Sequence, residues 1–162
     1  MTLDYFILNH LRQFKSLRVT GWIIWTLEKL YGTRETESKL AFLRTLEKGT
    51  AGREIADMLD KNGFRLIPKF ESHDLKHVVL DYEMTMPNEI RMQAYLIGNG
   101  NYSFPCLIFF TLGIFYPEVW KDLAKEYRAG KASNSILHLT LDNCMNSSLK
   151  ELKIEFGRVK YF

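Results

Sequence analysis

With only two cysteines, Cys106 and Cys144, the chain cannot build a disulfide framework, and a reducing compartment is expected. Its longest apolar stretch, Phe104 to Tyr116, covers 13 residues, short of the roughly 20 that a helix needs to span a bilayer. Strand signals are equally scarce. No Asn-Gly turn stands between alternating apolar runs, and segments dense in Val, Ile and Thr are few. The opening Met1-Thr2-Leu3-Asp4-Tyr5 shows no basic segment leading into an apolar one, so a secretory leader is not expected and a cytoplasmic location is. A net charge of +3 is too small to suggest that the protein wraps nucleic acid.

What is present suffices for a folded core. Hydrophobic residues make up 46% of 162 positions, which fits one domain spanning 1–162. The positive charge is concentrated in residues 1–34, where Arg12, Lys15, Arg18, Lys29 and Arg34 face only Asp4 and Glu28; the remainder balances. Interleaved with Phe14, Trp22 and Trp25, this segment reads as a basic amphipathic helix. It suits an anionic membrane surface, including the inner face of a cell membrane. Packing against its own core is the commoner fate and is the expectation.

Helix signals punctuate the rest. Thr50 is placed to cap a helix that carries Ile55, Met58 and Leu59, and Gly63 supplies the left-handed position after it. Phe64 to Phe70, broken by Pro68, reads as an extended connector. Ser72 is placed to cap a helix over His73–Tyr82, and Pro87 to start another that ends near Gly98-Asn99-Gly100. Pro105 and Pro117 bracket an apolar helix and begin a further one to about Arg128. Two shorter helices follow, around Ile136–Met145 and Ser148–Phe156. Leu3–Tyr31 and Glu37–Lys48 are helical by the same pattern. The predicted fold is therefore all-α, an irregular single-domain bundle of many helices.

One constellation carries chemistry. In Ser72-His73-Asp74-Leu75-Lys76-His77, the histidines stand at i and i+4. At about 100° per residue, His77, Asp81 and Asp74 lie near 40°, 80° and 100° from His73, while Leu75, Val78, Val79 and Tyr82 occupy the opposite arc. Two imidazoles one turn apart can hold a single metal ion; an ordinary polar helix face gives the same pattern. Glu89, in the first turn after Pro87, is the candidate third donor if the chain turns back on itself. It also suits a helix N-terminus on dipole grounds alone. Asp81 is placed to accept a hydrogen bond from the free ring nitrogen of His77, or to be a solvated surface carboxylate.

His73-Asp74-x-x-His77, eleven residues and Glu89 form the H-D-x-x-H-x11-E pattern. With Gly49-Thr50-Ala51-Gly52-Arg53, Met58-Leu59-Asp60-Lys61-Asn62-Gly63, Leu66-Ile67-Pro68-Lys69 and Glu126-Tyr127-Arg128-Ala129-Gly130, the chain resembles the ubiquinone-biosynthesis family named for the fourth coenzyme Q biosynthesis protein. The resemblance runs from about Gly49 to about Ala132. It implies a helical fold and one divalent metal ion, zinc or iron, held by His73, Asp74, His77 and Glu89. It also implies action on a prenylated aromatic ring, an oxidative decarboxylation or hydroxylation of a quinone precursor, with lyase-type chemistry as the enzyme class. Peripheral membrane contact and association as a homodimer or within a biosynthetic complex follow from the same likeness.

Under that reading the apolar helix, with Gly113 allowing close approach, would wall a prenyl-tail tunnel. Arg53, Lys69, Lys76 or Arg91 would then meet a phosphate or carboxylate head group; taken singly, each is expected to be an ordinary surface base. Taken alone, a helix so uniformly apolar is expected to be buried core. The chain departs from the family at Lys76, where an aromatic residue is usual, at Leu80-Asp81, where Thr-Gly is common, and at Asn88 and Arg91 beside the glutamate. The rival function is a metal-stabilised lipid-binding or scaffold protein without turnover, whose site would be closed by four protein ligands. A His-Asp nucleotide phosphohydrolase would need a further histidine and aspartate, and nothing selects His10 or Asp122 for that role.

Overall fold

The computed structural model describes residues 21–158 apart from Ile23, and every regular element among them is helical. A helix, α1, occupies the described positions 21–31. It is followed by α2 (Arg34–Leu43), α3 (Ala51–Asn62), α4 (Glu71–Leu80), α5 (Met86–Gly98) and α6 (Phe104–Thr111). Two short 3-10 turns, Leu112–Phe115 and Pro117–Val119, lead into α7 (Trp120–Ala132), α8 (Leu141–Cys144) and α9 (Leu149–Phe156). The one extended pairing among the described residues is an isolated bridge between Thr50 and Ser148.

The caps of α3 follow the sequence. The Thr50 hydroxyl accepts from the Arg53 N–H at 3.4 Å, and Gly63 closes the helix at φ 66°. Two further N–H groups of that first turn, on Ala51 and Gly52, donate to the carbonyls of Ser147 and Met145, both at 2.9 Å. Groups that a helix start leaves unpaired thereby tie α3 to the α8–α9 junction. Helix α4 starts earlier than predicted. Its N-cap is Phe70, and Ser72 lies inside the first turn. The connector ends in a left-handed residue, Lys69 at φ 69°, which swings the chain into the helix two positions before the serine.

The core gathers Leu43, Ile55, Leu59, Leu75, Tyr95 and Ile136, all at most 1% exposed, and it underpins α4 and α5 from below. The pairing of α5 with α7 is the most extensive in the fold, and it has a specific cause. A Cβ on Gly98 would meet the Tyr127 carbonyl oxygen at 2.0 Å, and one on Gly130 would meet the Tyr95 carbonyl oxygen at 2.0 Å. The two backbones cross in direct contact, each glycine facing a carbonyl of the other helix. Alanine at either position must force the helices apart. Gly130→Ala is therefore expected to destabilise the protein by between about 1 and 3 kcal/mol, seen as a lower denaturant midpoint at unchanged slope.

Two burial expectations are overturned. None of the described residues of α1 is buried, and Trp22 and Trp25 are exposed, so in this part the basic N-terminal segment does not pack into the core. Residues 1–20 of that segment lie outside the described residues. Helix α6 is likewise not buried all round. It buries Cys106 and Phe109, while Phe104 and Leu107 are 76% and 40% exposed, as is Ile114 of the following turn, at 69%. Its apolar composition reflects what one side packs on; the other side stays open. Gly113 does permit a close approach, but to the core of the protein itself, since a Cβ there would meet the Ile90 side chain at 2.9 Å.

Candidate metal centre

Helix α4 presents His73 and His77 one turn apart, with their rings edge to face at 4.9 Å between centroids. The chain then turns through a tight corner. Asp81 takes a left-handed φ of 56°, closing α4, and the Tyr82 N–H donates to the His77 carbonyl at 3.1 Å. Pro87 sits in the first turn of α5, where its missing N–H costs nothing. Glu89, in that same turn, is directed back onto α4. Its Oε2 lies 3.1 Å from His77 Nε2 and 3.3 Å from His73 Nε2, and the two imidazole nitrogens are 3.2 Å apart.

Three donor atoms therefore form a nearly equilateral triangle. Two ligands of a tetrahedral ion with bonds of about 2.0 Å stand about 3.3 Å apart, so these edges fit one small divalent cation. The tautomer suits it as well. His77 Nδ1 lies 3.0 Å from the Tyr82 carbonyl oxygen, which can only accept. Nδ1 must carry the proton, and in the neutral ring Nε2 turns its lone pair inward. The other Glu89 oxygen, Oε1, accepts from the Gln93 side-chain amide one turn further along α5. Gln93 was missed in the sequence, although its i+4 spacing from Glu89 was the available signal.

Electrostatics bind the cluster further. Burial opposes charge on both His73 and Glu89, but their mutual attraction outweighs it. The His73 pKa is raised, and that of Glu89 falls well below the usual carboxylate range under the influence of both histidines. Asp74 behaves differently. It is 5% exposed and makes no hydrogen bond through its carboxylate among the described residues. Burial pushes its pKa up to about 6 even though both histidines pull it down. Its oxygens are not among the three converging donor atoms. A cation held by the three donor atoms would offset the cost of ionising this buried carboxylate. Cys106 does not join the donors. Burial raises its thiol to about 11, and Sγ points to the Gln93 carbonyl at 3.9 Å.

The other predicted residues fall elsewhere, with one exception. Asp81 does not touch His77; its carboxylate pairs with Lys153 of α9. The left-handed turn carries Asp81 off the helical arc and brings the Tyr82 carbonyl under the imidazole in its place. Arg53 is held by Asp57 at 2.9 Å and by the Arg44 carbonyl at 2.6 Å, away from α5. Arg91 lies about 200° around α5 from Glu89 and pairs with Asp122 of α7 at 3.0 Å and with Asn88 at 3.1 Å. That pairing also occupies Asp122. Lys76 is the exception. It stands beside His77 on α4, half-buried, and makes no hydrogen bond or ion pair among the described residues. Burial lowers its pKa, partly offset by the Cys106 thiol nearby.

An aromatic wall completes the surroundings. Phe109 of α6 lies near-parallel to the His73 ring at 6.4 Å and 23°, and Phe70 meets the same ring edge-on at 5.7 Å. The side of α6 that meets His73 is the buried one carrying Phe109, while Phe104 and Leu107 lie on the opposite, exposed side. Among the described residues, no helix is long and apolar enough to cross a membrane.

No protein-family model and no curated protein matches the sequence. Among solved structures, the fold is similar to that of a Nostoc punctiforme protein described as a "putative ubiquinone biosynthesis protein", at a TM-score of 0.55 and 18% identity over 85% of this chain and 80% of that one.

Proposed function

We propose that the protein uses one divalent metal ion, held by His73, His77 and Glu89, to act on or bind a prenylated aromatic ring of a quinone precursor. The observation that carries this reading is the three-donor triangle of His73, His77 and Glu89, walled by Phe70 and Phe109 at the His73 ring. Three protein ligands leave coordination positions for a substrate, as catalytic sites require and closed structural sites do not. When bound, iron(II) would supply redox chemistry to an electron-rich ring, whereas zinc would supply a Lewis acid only. The structural neighbour's link to ubiquinone biosynthesis, at low identity, supports the same substrate class.

This chain's residues have distinct duties in that reading. His77, tautomerically fixed, and Glu89, steadied by Gln93, hold the ion; His73 closes the triangle from the solvent side. Phe109 and Phe70 exclude water from one flank, and Phe104, Leu107 and Ile114 offer a surface for an isoprenoid tail or a lipid interface. Lys76 receives a carboxylate or phosphate on the ligand, since its ammonium is half-desolvated and has no partner within the described residues. Lys76→Met is expected to weaken binding of a prenylated hydroxybenzoate by about tenfold, the ~1.5 kcal/mol of one charged hydrogen bond. It should leave the analogue lacking the carboxylate unaffected, with both measured by fluorescence titration.

Elemental analysis of anaerobically purified protein, with mass spectrometry of its lipid extract, tests the reading as a whole. One equivalent of a redox metal together with a prenyl-aromatic lipid is the expected outcome. Zinc at full occupancy with no such lipid would favour the scaffold function instead.

A further inference from the structure

The Tyr82 carbonyl that fixes His77 is itself anchored from a distance. Its residue is 4% exposed and contacts His77 twice through the backbone. The N–H donates to the His77 carbonyl at 3.1 Å, and the carbonyl accepts from His77 Nδ1 at 3.0 Å. The phenol reaches the other way. Tyr82 Oη donates to Glu126 Oε2 of α7 at 2.6 Å, and the Arg158 guanidinium lies 4.2 Å from the centre of the Tyr82 ring. Arg158 Nη1 also donates to Glu126 Oε1 at 3.2 Å. Glu126 and Arg158 are mostly buried, at 12% and 25% side-chain exposure. One residue thus joins α4 to α7 and to the chain beyond α9.

We propose that Tyr82 and Glu126 are positioning residues for the metal centre, holding the carbonyl that keeps the His77 proton on Nδ1 and its Nε2 lone pair directed at the ion. The proposal rests on the metal-centre reading above. A carbonyl in the turn after Asp81 has no helix ladder to hold it. Its direction depends on the peptide plane, and the plane on where the side chain is tethered. Removing the tether frees that plane to rotate, and His77 then loses its reason to favour one tautomer. Hydrogen-bond partners beyond a metal's direct ligands typically change affinity 10–100-fold. Tyr82 and Glu126 stand one step further out, so the lower end is expected.

The test uses the full chain and two measurements. Nitrogen-15 and proton NMR of the His77 ring report the Nδ1 proton and its exchange with water. Wild type should show a slowly exchanging proton on Nδ1, held by the Tyr82 carbonyl. Tyr82→Phe and Glu126→Ala should speed that exchange, and Glu126→Gln, which can still accept from the phenol, should restore the wild-type pattern. Cobalt(II) titration should then show about a tenfold loss of affinity in Tyr82→Phe and Glu126→Ala, recovered in Glu126→Gln. Thr50→Ala, which removes the α3 cap, serves as a control that lowers stability without touching the relay, and its cobalt affinity should stay within twofold of wild type. Unchanged Nδ1 proton exchange in both disruptive variants overturns the proposal. So does an affinity loss in Thr50→Ala equal to theirs, which would mark the effect as general destabilisation. If Tyr82→Phe does not fold, Glu126→Ala against Glu126→Gln decides alone. Wild-type protein that binds no cobalt defeats the metal-centre reading, while the Nδ1 comparison still judges the positioning role.

Discussion

Glu89→Gln is expected to lower affinity for zinc(II) or cobalt(II) by more than about 100-fold, because loss of an outer partner of a metal ligand already costs 10–100-fold and Glu89 supplies a donor atom directly. The amide keeps the shape of the side chain but removes the only anionic donor of the triangle. Competition titration against a chelator of known affinity provides the number. The same change acts on the metal-free protein through His73. The stability that His73 gains from its raised pKa is fully present below 6.5 and is lost as pH rises through its folded value. The stability that Glu89 gains from its depressed pKa is present above 4.5 and is lost as pH falls through its folded value. Both are in force together between these two reference values. The metal-free variant should therefore be weakest relative to wild type between about pH 4.5 and 6.5, by about 3 kcal/mol for breaking a buried pair, with a narrowing gap on either side.

Asp74→Asn should do the opposite in the metal-free protein. The Asp74 pKa is raised from 3.8 to about 6 by burial, so its folded form holds a proton more tightly than its unfolded form. Ionised Asp74 costs nothing below 3.8, and the cost grows until the folded group has lost its proton, above about 6. The span is worth about 3 kcal/mol at 1.36 kcal/mol per pH unit. Asparagine stays neutral throughout. The variant should be more stable than wild type by about that amount at pH 7, and equal to it near pH 3, in denaturant unfolding. Saturating cobalt should reverse the order, since a cation beside Asp74 makes the ionised carboxylate favourable and asparagine cannot respond.

How far the sequence reveals this arrangement differs from residue to residue. The ends of α3 are legible because Thr50 and Gly63 act on their nearest neighbours. The histidine pair is legible because one helical turn sets its spacing, and Glu89 joined it through the motif's length across the corner at Pro87. Of the two readings of Asp81, the surface carboxylate holds and the partner of His77 does not, because the helical wheel extends one position past the end of the helix. The glycine that the similar family carries there was the better clue, since φ 56° is a conformation that glycine adopts freely and aspartate tolerates. The Tyr82 carbonyl could not be seen at all, because backbone acceptors leave no mark in a side-chain pattern. Periodicity likewise describes the faces of α6 without saying how many neighbours it has. The contacts of Gly98 and Gly130 join positions on two separate helices, and a single sequence does not disclose such pairs.

The unequal shielding of the two imidazoles would set an order for loading and losing an ion. The His73 side chain is 21% exposed and that of His77 is 2%, so water and competing chelators would reach a bound ion from the His73 side. That ring would be the first to let go, and beside Glu89, which raises its pKa, it would take up a proton and resist recapture. His77 and Glu89, the deeper pair, would release last, so acid would speed departure from the outer side inward.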